Sequence, residues 1–251
     1  MNLVVIRENL ENLYAGIEFA PGSGALNELA AIVQKHQLGT VPGDAAVALK
    51  VISASESQRI ARFAFEYARA HGRHKVTVVH KGNNLKLSDG SFLETAGTVS
   101  SSYPDIALDD YLIDNICMQL VRNPETFDVI LAPNLYGDIL SDLTAGLIGG
   151  LGLTASANVG PRVAMFEPTH GSAPRHAGEN SVNPVACILA GCMLLDRLGQ
   201  QTDADRVRSA FTQVIQEGKN VTYDLKPSRG DPTAVGTREM AEAIISKMAS
   251  M

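Results

Sequence analysis

The sequence has no basic stripe and no basic tail. Its 21 lysines and arginines are outnumbered by 27 aspartates and glutamates, for a net charge of −6. Nucleic acid is therefore not expected as a partner, because phosphate contacts need clustered cations. A small anionic substrate can still be held by a few local arginines and lysines. Cysteine is scarce as well: Cys117, Cys187 and Cys192 are odd in number and lack metal-ligand spacing. They fall in apolar periodic segments and read as reduced, buried thiols. No secretory leader is visible, since MNLVVIREN reaches charge after six residues. No membrane span is expected either. Leu143–Pro161 is uncharged, but it holds five glycines together with serine, asparagine and proline, unlike the ~20 apolar residues of a spanning helix. Asn220-Val221-Thr222 is a glycosylation triplet without secretory context, and the expected compartment is the cytoplasm. Internal repeats and low-complexity tracts are missing. The single G-x-G-x-x-A match, Gly150–Ala155, follows a helical segment and opens none, which excludes the dinucleotide fingerprint.

What is present is enough apolar material for a core: 251 residues, 45% of them hydrophobic, suit one large or two modest domains. Apolar runs and amphipathic runs alternate. Leu3–Ile6, Ala46–Ile52, Lys75–His80, Ile106–Leu112 and Asp128–Ala132 read as strands. After Ser53, which with Glu56 forms a capping box, a helix presents Ile60, Phe63, Ala64, Tyr67 and Ala68 on one face and ends at Gly72. Residues 20–45 form a Gly/Pro-bounded helical excursion that suits an arm or clasp. Ser88–Ser102, Ile113–Asn123, Asp203–Gly218 and Thr237–Met248 read as helices. Asn183-Pro184 reads as N-cap plus N1 proline of a helix Val185–Leu198, apolar on most faces and hence expected to be deeply buried. The alternation implies an α/β fold with mostly parallel strands.

The stretch on which the rest is organised is Asp128–Gly152. A buried strand ends at Pro133, a loop of Asn134, Leu135, Tyr136 and Gly137 follows, and a helix then carries Asp138 and Asp142. At i and i+4 these carboxylates share a face and repel by a few tenths of a kcal/mol. Mg²⁺ or Mn²⁺ would relieve that repulsion, typically using one or two carboxylates with water or substrate completing the shell. The alternative is an acidic helix start that favours the positive end of the dipole. Other polar residues carry the same ambiguity. Arg7 stands at a strand's carboxyl end, where open α/β sheets place ligand groups, or it is a surface ion pair with Glu8 or Glu11. Tyr14 is a site residue or a half-buried packing residue. Lys81, followed by Gly82, is a base or anion ligand, or a solvated loop lysine. Asp114 alone is a helix-start acid.

In combination these stretches are specific. RENLENLYAGIE (7–18), VHKGNNLKLSDG (79–90), DNICMQLVRNPETFDVILAPNLYGDILSD (114–142) and FEPTHGSAPRHAG…NP (166–184) occur in one order. That order resembles the β-decarboxylating dehydrogenases, the isocitrate and 3-isopropylmalate dehydrogenase family, over most of residues 2–199. RENxE…YAGIE and VHKGNxxK look like the isocitrate members. The resemblance implies an isopropylmalate-dehydrogenase-like fold with a mostly parallel sheet and two domains. It implies oxidative decarboxylation of a 2-hydroxy acid, isocitrate to 2-oxoglutarate, with NADP or NAD and with Mg²⁺ or Mn²⁺. Arg7 matches the arginine that binds a substrate carboxylate, and Tyr14 and Lys81 match the catalytic tyrosine and lysine. Asp114, Asp138 and Asp142 match the metal carboxylates, Lys81 and Asp114 being given across a homodimer. His170, Gly171, Ser172, Ala173, Arg175, His176 and Asn183 match the loop that grips the cofactor's adenosine half. NAD-preferring members usually place an aspartate after HGSAP. Arg175 stands there, followed by His176, so the lean is to NADP and its 2′-phosphate.

Family members begin with a segment that this chain lacks. Residues 1–148 are accordingly expected to be the substrate and dimerisation domain, and 149–251 the carboxyl half of an incomplete cofactor domain. Two function classes follow. One is an oxidoreductase acting on a small tricarboxylate, or on the substrate of a homoisocitrate or tartrate type of relative. The other is a non-catalytic subunit or remnant that keeps the scaffold. The chain alone is expected to dimerise through the helices around 114–123 and 136–148 without dehydrogenase activity.

Overall fold

Short β-branched runs flanked by amphipathic helices give parallel strands covered on both faces. A computed structural model of the protein, which describes residues 2–251, shows that arrangement in the first half of the chain. The chain divides into two units, the first ending at Leu143 and the second spanning Thr144–Met251.

In the first unit the elements are β1 (Val4–Arg7), β2 (Glu18–Phe19), α1 (Gly24–Lys35), β3 (Val47–Ala48), α2 (Ala54–Ala70), β4 (Lys75–His80), α3 (Ser88–Ser100), β5 (Ala107–Leu112), α4 (Ile113–Arg122), β6 (Val129–Ala132) and the start of α5 (Asn134–Leu147). A four-stranded sheet runs in the order β1-β6-β4-β5, with every neighbouring pair parallel. Alternation along the strands feeds two cores. Val76 and Val78 of β4 and Val129 and Leu131 of β6 pack with Phe65 of α2 and Phe92 of α3. Val79 and Ile130 point the other way, to Ile116 and Leu120 of α4 and Tyr136 and Leu140 of α5. Because all four strands are parallel, their carboxyl ends lie along one edge. That edge collects Arg7 at the end of β1, Lys81 just after β4, Asp114 in the first turn of α4 and Asp138 near the start of α5.

Several expectations need correction. The run Ala46–Ile52 is not a strand of the main sheet; only Val47 and Ala48 pair, antiparallel to β2. Its neighbours Leu49 and Val51 bond the Ile17 and Asn12 backbones, and Lys50 leaves the apolar pattern for a buried ion pair. The segment Asn134–Gly137 is not a loop, because α5 begins at Asn134. Pro133 precedes the helix, where its missing N–H is harmless, and Gly137 is needed for a close approach: a Cβ there would come 2.6 Å from Cγ of Arg7. The capping box is half formed. Ser53 Oγ accepts from the Glu56 N–H at 3.2 Å, but the Ser53 N–H donates to Glu11 Oε2 at 2.7 Å, while Glu56 pairs with Arg59. Finally, the helix expected over Val185–Leu198 is not deeply buried, as its side chains in the second unit show.

That unit holds an antiparallel hairpin, β7 (Ala155–Val159) with β8 (Ala164–Pro168), then α6 (Val185–Arg197), α7 (Gln201–Glu217) and α8 (Thr237–Ala249). Val185 of α6, Phe211 and Val214 of α7, and Met240 and Ile244 of α8 form its core. One face of α6 is covered in this way, while Leu194 and Leu198 stay 45% and 64% exposed. Cys187 is exposed too, against the expectation of burial; Cys192 is buried, Cys117 is partly so, and all three are free thiols. Helix α6 starts at Val185 with Pro184 as its cap residue, and Asn183 Oδ1 accepts the Val185 N–H at 2.9 Å. Among the described residues no helix is long and apolar enough to cross a membrane.

Candidate active site

Parallel register places Arg7, the last residue of β1, beside Ala132 at the end of β6. Its guanidinium therefore reaches the first turns of α5. Asn134 Oδ1 accepts from Nε at 2.9 Å and from Nη2 at 2.7 Å, and Nη1 is ion-paired with Asp138. The other oxygen of Asp138 accepts the Tyr14 hydroxyl at 2.7 Å. The guanidinium carbon lies 5.4 Å from the centroid of the Tyr14 ring, within cation–π range. Arg7, Tyr14, Asn134 and Asp138 thus form one cluster at the carboxyl edge. Their mutual bonds leave guanidinium N–H groups unused, since arginine has five. Tyr14 is 53% exposed. Its hydrogen bond to Asp138 raises the phenol's pKa above its ordinary value.

The segment that delivers Tyr14 is tied down residue by residue. Buried Glu8 accepts the N–H groups of Leu10 at 2.6 Å and Glu11 at 3.0 Å, closing a tight turn. Asn134 Nδ2 donates to the Glu11 carbonyl at 3.1 Å. Asn12 is buried, has φ 78° and opens the single 3-10 turn Asn12–Ala15 on which Tyr14 rides. Non-glycine residues seldom adopt that conformation, and such strain gathers at functional sites.

Lys81 stands at the end of β4 and Asp114 in the first turn of α4, just after β5. Nζ donates to Asp114 Oδ1 at 2.8 Å, and that bond lowers the Asp114 pKa below the usual carboxylate range. Within one chain Asp114 is therefore paired with Lys81. Asp142 lies one helical turn beyond Asp138, exposed. Among the described residues no three histidine, cysteine, aspartate or glutamate side chains assemble a metal site. Asp138, 46% exposed at its side chain, and Asp142 nevertheless fit a hard divalent cation. They offer oxygen donors on one helical face, with room for water and substrate ligands. A third protein carboxylate would have to come from outside this set.

In the second unit, the loop after β8 holds the remaining expected residues. His170 Nδ1–H donates to the Gly171 carbonyl at 2.8 Å, and Gly171 and Ser172 are exposed. Ala173 is left-handed, with φ 45°, just before a 3-10 turn Pro174–His176. Arg175 is exposed, whereas His176 Nδ1 lies 2.8 Å from Glu179 Oε2, an acidic neighbour that sequence reading passed over. Asn183 is buried and serves the local frame: its Nδ2 donates to Asp224 Oδ2 at 2.9 Å.

Asn134 was also missed as a site residue. Its only signal was its place just after a strand's end, and reading it as loop hid that signal.

The family model described as isocitrate/isopropylmalate dehydrogenase matches residues 1–244. A regulatory subunit of the mitochondrial NAD isocitrate dehydrogenase of Dictyostelium discoideum is 46% identical over 226 residues, which is 90% of this chain and 58% of that protein. The 3-isopropylmalate dehydrogenase of Archaeoglobus fulgidus is 45% identical over 225 residues, 90% of this chain and 62% of that one. A crystal structure of isocitrate dehydrogenase from Methylococcus capsulatus superposes with a TM-score of 0.85 at 45% identity, over 98% of this chain and 67% of the other. The chain thus spans about three-fifths of the length of the curated relatives it matches.

Proposed function

Because the chain belongs to the isocitrate/isopropylmalate dehydrogenase family, we propose that it carries the acid–base, substrate and metal groups of an NAD(P)-dependent oxidative decarboxylase whose substrate is isocitrate. The observation that carries this reading is the Arg7–Tyr14–Asp138 cluster at the carboxyl edge of the sheet, with Asp142 one turn on. Arg7 binds a substrate carboxylate with the N–H groups that Asn134 and Asp138 leave free. Asp138 and Asp142 would hold Mg²⁺ or Mn²⁺, with Asp114 of a neighbouring copy of the chain as the third carboxylate. A metal held there would supply Lewis acidity toward the 2-hydroxyl and toward the charge left when CO₂ departs. Lys81, given across the dimer, is the base for the 2-hydroxyl proton, and a bound nicotinamide would be the hydride acceptor. Tyr14 then protonates the enol carbon. A tyrosine hydroxyl is protonated at neutral pH and so has a proton to give, and this one stands exposed beside Arg7 and Asp138.

Dimerisation is supported by the outer side of the α4–α5 layer, where Met118, Val121 and Ile139 are 48%, 61% and 46% exposed. Residues 149–251 are assigned to the cofactor domain, and Arg175 favours NADP. Glu179 weakens that preference, because its carboxylate already pairs with His176 and offsets the positive charge beside Arg175.

Two relatives of nearly equal identity are named for different substrates, so residues rather than identity must select among them. The motifs RENxE and VHKGNxxK favour isocitrate. A non-catalytic subunit is the second reading, favoured by the name of the Dictyostelium relative. Retention of Tyr14, Lys81, Asp114, Asp138 and Asp142 weighs against it. Cofactor reduction by the full-length protein, assayed with isocitrate, 3-isopropylmalate, homoisocitrate and tartrate, tests the proposal. Turnover of isocitrate at the highest kcat/KM is the expected result. Turnover of none would favour the second reading.

A further inference from the structure

Asp89, in the first turn of α3, is buried with 0% of its side chain exposed. Three elements converge on it. Lys50, from the segment before α2, is ion-paired with Oδ1. The Tyr136 hydroxyl of α5 donates to Oδ2 at 2.9 Å. The Lys81 backbone N–H donates to the same oxygen at 2.7 Å. Lys50 Nζ also donates to the Tyr136 oxygen at 3.1 Å and sits 4.5 Å from the ring centroid. Burial pushes the Tyr136 phenol far up, so it keeps the proton that it donates. The next amide is held as well: the Gly82 N–H donates to Nδ1 of buried His80 at 3.0 Å, and Nε2–H of that ring donates to Asp110 at 2.9 Å. A Cβ on Gly82 would come 3.0 Å from the same Nδ1.

A buried ion pair costs desolvation and is weak as a device for stability alone. Its placement suggests another use. Tyr136 stands two residues after Asn134, which anchors Arg7, and two before Asp138. One carboxylate therefore ties the backbone of Lys81 to the α5 turn that presents Asp138. We propose that Asp89, with Lys50 and Tyr136, is a positioning residue for Lys81, holding its loop in register with the Asp138 turn. This rests on the reading above for what Lys81 does, and on the geometry alone for how it is held. In that reading Lys81 serves the neighbouring copy's site, so Asp89 ties the lysine offered to the neighbour to the turn that presents Asp138 in its own chain.

Tyr136→Phe tests the proposal without leaving a charge unpaired, since the ring and its contact with Lys50 remain. Phe65→Leu, a core change in α2, serves as the control for lost stability. The readouts on the full-length protein are hydrogen exchange of the Lys81 and Gly82 amides, and kcat and KM for isocitrate across pH. The expected result for Tyr136→Phe is Lys81 amide exchange faster by about 10-fold, as for loss of one hydrogen bond. A kcat lower by ~10-fold or more should accompany it, with a KM changed far less, as for a misplaced reacting group. Phe65→Leu should do neither. Amide exchange and kcat that match the control would overturn the proposal, and so would looser exchange with unchanged kcat. A wild-type protein that turns over no hydroxy acid would refute the function proposed above. The exchange experiment would still decide whether Asp89 and Tyr136 hold the Lys81 loop.

Discussion

Asp89 and Asp138 are each held by one cation and one tyrosine, yet the two trios are built for different ends. Asp89 has Lys50 and Tyr136, and Asp138 has Arg7 and Tyr14. In both, the cation lies over the face of the tyrosine. The first trio is buried and closed by a further donor, the Lys81 amide. The second is open to solvent, with Tyr14 53% exposed against 8% for Tyr136. A buried carboxylate held by donors on both oxygens cannot exchange partners without desolvated charge being left behind. An exposed carboxylate can pass its oxygens to a metal and its arginine to a substrate at little cost. An aspartate, a tyrosine and a cation thus give a fixed strut in one place and exchangeable ligands in another, and burial makes the difference.

Breaking the closed trio should have the largest effect on the fold. Asp89→Asn strands the Lys50 ammonium, and urea unfolding should show a loss of about 3–5 kcal/mol. Asp142→Asn, at an exposed position outside both trios, should stay within ~0.5 kcal/mol of wild type.

Within the open trio and its partner lysine, the contrast is one of steps. Lys81→Met should lower both isocitrate oxidation and decarboxylation of added oxalosuccinate, by ~10²–10⁴-fold, as expected for a lost general base or acid. Tyr14→Phe should spare the hydride step more than enol protonation. Equal losses at every step would make Tyr14 structural, like Tyr136.

The smallest effect belongs to the second unit, where Arg175 is exposed and His176 already has Glu179. NADP should show the higher kcat/KM, and Arg175→Ala should reduce its advantage over NAD by about 10-fold, or ~1.4 kcal/mol. An unchanged preference would mean that Arg175 does not meet the 2′-phosphate.

What sequence reading could see and what it missed follow the same divide. Lys75–His80 is a strand with the expected bounds, because a β-branched run bounded by charge and glycine is local information. Asp138 and Asp142 announce themselves by spacing on one helix. The strut does not. Lys50 interrupts an apolar run that reads as a strand, and its partners Asp89 and Tyr136 lie 39 and 86 residues away. Pro-Asn-Leu-Tyr-Gly reads as a loop because proline and glycine usually punctuate. Here the proline precedes a helix and the glycine makes way for Arg7. The exposure of α6 was equally hidden, since an apolar helix records that it will be covered but not by which part of a chain.

The most direct test is the Mg²⁺ dependence of isocitrate-driven NAD(P) reduction by the full-length protein, compared between wild type and Asp138→Asn, with thermal unfolding measured on both. Metal-dependent turnover that falls by ~10³-fold or more in the variant, with the melting transition nearly unchanged, is the expected result for an exposed metal carboxylate. Asp138→Asn turning over with wild-type Mg²⁺ dependence would contradict it, and would leave the Arg7–Tyr14–Asp138 cluster as structure alone.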